Sequence, residues 1–285
     1  MHLSTFNRLW AYSCSLLLVL LLCNCSREEP LPLNEVTSKD DVAIGNSIDA
    51  AYMYHIDTLP DEQLLTEEDH PGIYRYLHRM CAKVQATTTQ SMQINEDRPL
   101  RKPTIRVLEC SGKKRAFVAP GGHLYLYTDF LKTLHQEAEL IPILAHLLNC
   151  SMYRFDIKKL ESHFSTNFLL DLAIGSNVGA SYASPATNVS AVIEHLATKP
   201  YLEKDVAFLD ELAERITCEL GYDIQVYSTF FMNNSNQDLD WFELFPRNAP
   251  HSTYAAHLFN TVSDSLTCGG TISTAGYPNF KTLIP

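Results

Sequence analysis

One stretch constrains the fold more than any other, Ala116 to Cys150, which reads AFVAPGGHLYLYTDFLKTLHQEAELIPILAHLLNC. Pro120-Gly121-Gly122 is a turn signal set between two short segments, Arg115 to Val118 and His123 to Thr128, each predicting a strand. In the second segment Leu124 and Leu126 share one face and His123, Tyr125 and Tyr127 the other. Asp129 to Leu134 predicts a short helix. Glu137 to Phe155 predicts a long apolar one, with Glu137 and Glu139 at the end where the helix dipole favours acids. Pro142 falls early in it, and its missing N–H is tolerated within a first turn. Strand, turn, strand and buried helix in that order point to an α+β fold, mainly helical, with a small sheet beside a long helix.

The remaining pattern adds helices. Thr104 to Cys110 alternates as a strand. Asp61 to Val84 suits an amphipathic helix interrupted near Pro71-Gly72, and the polar run Ala86 to Arg98 a loop. Leu160 to Ile174 continues as helix and Gly175 to Asn188 as loop. Leu202 to Leu220 is strongly amphipathic and is closed by Gly221 as a C-cap; Asp223 to Asn233 follows as a further helix. The expected organisation is a targeting segment over 1–24, a tether over 25–41, one domain over 42–266 and an irregular tail over 267–285.

The targeting segment rests on Arg8, the short apolar run Ser15 to Leu22, and Cys25 with Leu22 three residues before it. This resembles the lipobox of bacterial lipoproteins, which implies a lipid on Cys25. Cys23 would place bulky Leu22 at the cut, and a plain secretory signal is the other reading. Ser26-Arg27-Glu28-Glu29 resembles the acidic export tag of Bacteroidota surface lipoproteins. The expected location is therefore the cell envelope, with a lipid-anchored protein on the outer membrane, exposed at the surface or facing the periplasm. The formal charge is −11, and no basic run is present, which argues against nucleic acid as a partner. Besides Cys25, the cysteines after the leader are Cys81, Cys110, Cys150, Cys218 and Cys268. Their odd number leaves a thiol over, the pairing stays open, and no C-x-x-C is present.

The predicted helix ends in His146-Leu147-Leu148-Asn149-Cys150. A zinc-protease helix of the H-E-x-x-H type needs a second histidine four residues after the first and a glutamate beside the first. Here those positions hold Cys150 and Leu147. The surroundings resemble the M48 family of zinc metallopeptidases over roughly Thr104 to Asp264. The likeness is carried by Ala116-Phe117, Pro120-Gly121-Gly122, Leu124 to Thr128, Phe130-Leu131, Glu137 to Leu140 and Leu144-Ala145-His146. It continues in Glu219 to Asp223 and in Pro250-His251-Ser252-Thr253 near Ala255-Ala256. The resemblance implies an M48-like fold and, counting back from Gly221, a third zinc position at Phe208 with the family aspartate kept as Asp210.

Of the three implied ligands, His146 alone is retained; Cys150 is a thiol and Phe208 has no donor atom. Leu147 offers no general base, which removes a catalytic factor of roughly 10²–10⁴. Leu147 and Phe208 suggest a site filled with apolar side chains. The favoured expectation is a protein without catalytic residues or cofactor, a peptide- or protein-binding or scaffold module at the envelope. Its binding edge would run through Arg115, Phe117, His123 and Tyr125. The alternative is a divergent zinc metalloendopeptidase using His146, Cys150 and Asp205 or Asp210, which requires one of those carboxylates within ~5 Å of His146. A Cys150–His146 nucleophile pair, and metal sites drawn from His163, His195, Asp205 or Asp210, are weaker readings.

Overall fold

A computed structural model describes residues 36–56, 62–92, 102–178, 186–199, 201–233, 268 and 270–285. The leader, Cys25 and the Pro250–Thr253 segment lie outside them. The fold is α+β and mainly helical, and the described residues form a single four-stranded mixed sheet. Strands β1 (Gln63–Leu65), β2 (Thr104–Glu109), β3 (Ala116–Ala119) and β4 (His123–Tyr127) lie in the order β1-β2-β4-β3. Only β2 and β4 are parallel.

The Pro-Gly-Gly turn forms as expected. Gly121 and Gly122 take φ of 76° and 85°, the left-handed region that glycine enters without a Cβ penalty. The turn sets the β3–β4 register, with Phe117 opposite Tyr125 and Ala119 opposite His123. On its other side β4 pairs with β2, so β4 is an interior strand, and all five of its residues are buried.

The face of β4 that bears His123 and Tyr125 is covered by helix α1 (Ser38–His55). Thr37 and Asp40 close a capping box at its start. Asp49 of α1 accepts two hydrogen bonds from Arg106 of β2, at 3.0 and 2.6 Å, and one from the Tyr125 hydroxyl at 3.0 Å. Residues 36–41, expected in the tether, belong to the folded domain. Val36 is already buried, and Asp41 pairs with Arg154 at 2.7 Å. Val36 to Pro285 forms one compact unit.

Helix α1 approaches the turn so closely that a Cβ on Gly45 would lie 1.8 Å from the Pro120 carbonyl oxygen. Gly45→Ala is expected to cost about 3 kcal/mol, because the obstacle is backbone and cannot rotate away. Urea denaturation checks this, and an unchanged midpoint would refute the docking.

Other boundaries moved for local reasons. Helix α2 spans Pro71–Met92, so Pro71 opens the helix rather than interrupting it. Residues before Pro71 form β1 and a turn, and α2 runs on into the expected Ala86–Arg98 loop. Helix α3 is Thr128–Thr133 and α4 is Glu137–Met152. The helix starts at Glu137 as expected, and Pro142 sits in its second turn, beyond the first turn where a missing N–H is cost-free. Helix α4 stops because Arg154 takes a left-handed φ of 61°. Helices α5 (Phe155–Glu161), α6 (Thr166–Val178) and α7 (Ala186–Thr198) follow. Then come α8 (Glu203–Glu219), α9 (Gln225–Asn233) and α10 (Gly276–Leu283).

The C-terminal segment is not an irregular tail. Thr271 bridges Tyr222, and α10 packs on α2 through Phe280 stacked on Tyr76 at 4.1 Å. Among the described residues, no helix is long and apolar enough to cross a membrane.

Candidate functional site

Helix α4 packs along α8 in the core, and the two place the motif remnants. Helix α4 is apolar on nearly every side, and its residues Glu137 to Cys150 are all buried. His146 is 1% exposed, and its Nδ1 lies 3.0 Å from Oδ1 of Asp210 on α8. A carboxylate on one imidazole nitrogen fixes the ring and its tautomer. Asp210 therefore lies within the distance that the alternative reading required. Asp205 does not serve it, since its Oδ2 accepts from Lys158 Nζ at 2.6 Å.

Leu147 and Cys150 are fully buried. Burial pushes the Cys150 thiol well above its ordinary range, and the neighbouring Asp156 adds to the rise. A thiol held this way is a poor source of thiolate, whether as ligand or nucleophile.

Phe208 does not fill the former site. It is 38% exposed and makes edge-to-face contacts with Tyr153 at 4.9 Å and Phe155 at 6.0 Å. The reason is helical geometry: two residues on from Phe208 is about 200° round the helix, so when Asp210 faces α4, Phe208 faces outward. The inward stripe of α8 is Val206, Leu209, Asp210, Ala213 and Glu214, all buried. The residue one turn before Asp210 is thus apolar Val206. The acid one turn after it is Glu214, which the sequence reading overlooked and which the i, i+4 spacing from Asp210 would have revealed.

Glu214 is 1% exposed, and neither carboxyl oxygen has a hydrogen-bond partner among the described residues. Burial, with Asp210 beside it, pushes its carboxyl up to about 8.

His163 and His195 stack at 4.6 Å, and His195 Nε2 sits 3.1 Å from the Lys159 carbonyl. Among the described residues, no three or more His, Cys, Asp or Glu side chains form a group able to hold a metal ion. The residues at the implied zinc positions do not make a zinc site together: beside the imidazole stand a fully buried thiol with a raised pKa and a hydrocarbon facing outward.

The expected binding edge is also rearranged. β3 is the outer strand by pairing, yet Ala116 to Ala119 are all buried, with α4 and α7 packed against them. Phe117 stacks on Tyr125 at 4.7 Å inside the core. His123 and Tyr125 belong to interior β4, and His123 Nε2 lies 3.1 Å from Asn46 Oδ1 of α1. Burial lowers the His123 imidazole below its ordinary value. Of the four edge residues only Arg115 reaches open space. It lines a pocket of about 150 Å³ formed by α1, Glu62, Lys113, Tyr127 and α7.

The sequence matches no protein-family model, and no curated protein matches it.

Proposed function

We propose that this chain is an M48-like lipoprotein of the cell envelope that has lost peptidase chemistry and works as a binding or scaffold module. One observation carries the reading: the helix face that would hold metal and base is core. His146 is tied to Asp210 and flanked by fully buried Leu147 and Cys150. A scissile carbonyl needs to come within about 3–3.5 Å of its attacking group, and this face offers it neither access nor a proton acceptor at residue 147. Anchoring through Cys25 remains the sequence-based part of the proposal.

The alternative, a divergent zinc endopeptidase, draws support from the His146–Asp210 contact, since metal-bound histidines usually carry such an orienting carboxylate. Metal analysis and proteolysis separate the two. The purified protein is expected to take up no stoichiometric zinc and to leave unfolded casein intact. Zinc uptake with casein cleavage, both lost in His146→Ala, would establish the alternative instead.

A further inference from the structure

The pocket at Arg115 contains more polar chemistry than the fold requires. Its floor is a satisfied network. Glu62 accepts at Oε1 from Lys113 and, at 3.4 Å, from the Tyr127 hydroxyl; it accepts at Oε2 from the Tyr52 hydroxyl at 2.7 Å. Lys113 and Glu62 thus neutralise each other.

Arg115 is different. Its Nη1 lies 3.5 Å from Oε2 of Glu194, a side chain that is 63% exposed. Its Nε, on the edge away from Nη1, is buried and has no hydrogen-bond partner among the described residues. The Nη1–Nη2 end of a guanidinium is a fork that takes both oxygens of a carboxylate, and a single 3.5 Å contact to Glu194 does not fill it. Part of the pocket wall is apolar, contributed by Ala51, Val189 and Ile193, all buried. A space of about 150 Å³ holds one group of roughly benzene size.

We infer that this pocket binds a carboxylate carried on a short apolar group, and that Arg115 grips it in place of Glu194. The exchange swaps one carboxylate for another, so the charge inside the pocket does not change. Glu194 swings into water, and the incoming group takes the Nη1–Nη2 end of the guanidinium with both of its oxygens. Two sources share this chemistry, a free small acid and the C-terminal residue of a peptide. The inference rests on the binding-module reading and gives it a ligand class.

The test is calorimetric titration of the full mature chain with isovalerate, with N-acetyl-Ala-Val, and with the same dipeptide as its C-terminal amide. At least one carboxylate is expected to bind saturably, with the amide about tenfold weaker or worse. Arg115→Lys keeps the charge but loses the fork, and is expected to weaken binding about tenfold with an unchanged melting temperature. Glu194→Gln removes the competing carboxylate and is expected to tighten binding about threefold. Equal affinity for isovalerate and the dipeptide assigns a free acid; a preference for the dipeptide assigns a chain end. Absence of binding by both carboxylates, equal binding of the amide, or indifference to both substitutions would overturn the inference. Zinc-dependent cleavage of casein alongside carboxylate binding at Arg115 would instead sink the non-catalytic reading and leave this one standing.

Discussion

Replacing Cys218 by alanine is expected to lower the unfolding free energy by about 4 kcal/mol, the chain-entropy value for a closed loop of this size. Cys218, at the end of α8, is bonded to Cys268 across a sequence separation of 50. The bond holds the segment that caps α4. Ile272 O accepts from Ala138 N at 2.9 Å, Ser273 Oγ accepts from Glu137 N at 3.0 Å, and Glu137 accepts at Oε2 from Thr274 N at 2.7 Å. These contacts satisfy N–H groups that a helix start leaves over and fix the end of the helix that carries His146. Urea denaturation of the wild type with and without dithiothreitol checks the value, and the reduced wild type should coincide with Cys218→Ala. Identical oxidised and reduced midpoints would refute it. Cys81, Cys110 and Cys150 stay outside the bond and are buried, so alkylation of the native protein should be slow.

Glu214→Gln is expected to stabilise the protein by about 2–4 kcal/mol at pH 7–8 and to have little effect at pH 4. The carboxyl stands at about 8 in the folded protein against an ordinary 4.5. The folded state therefore keeps a proton that the unfolded chain releases, and native stability falls as pH rises from about 4.5 to about 8. Glutamine, like the protonated acid, carries no charge and removes that slope. Part of the slope survives in the variant, because Asp156 is also fully buried and is pushed up to about 8. Urea midpoints across pH 4–9 for both proteins test this, and parallel curves would show that Glu214 ionises freely in the native state. Glu214 thus acts on folding; it would have to be charged and partnered to serve a metal.

The sheet illustrates how far local reading reaches. The β3–turn–β4 unit was legible because two glycines with positive φ and two alternating segments specify it within a dozen residues. That β4 is interior was not legible. The strand beside it, β2, comes from Thr104–Glu109 and pairs in parallel, and such a pairing leaves no mark on the periodicity of either segment. The same holds for the edge. Arg115, Phe117, His123 and Tyr125 are neighbours in sequence, but burial by α1 and α7 divides them into three core residues and one that lines a pocket. Glu62, Lys113 and Glu194 come from separate parts of the chain, so no motif announces that pocket. Phe208 could have been placed outward from Asp210 alone, by turning the helix through two residues.

The sequence by itself determined that residue 147 has no proton acceptor and that residue 208 has no metal donor, since these follow from side-chain chemistry whatever the fold. It also determined the Pro-Gly-Gly turn, the apolar α4 and the Gly221 end of α8, which depend on contacts a few residues apart. Only the tertiary structure decided that Asp210 holds His146, that Glu214 is buried without a partner, that Cys218 meets Cys268 and that Arg115 opens onto a pocket. Each of these joins groups from distant segments, and it is packing, not local pattern, that brings such groups together.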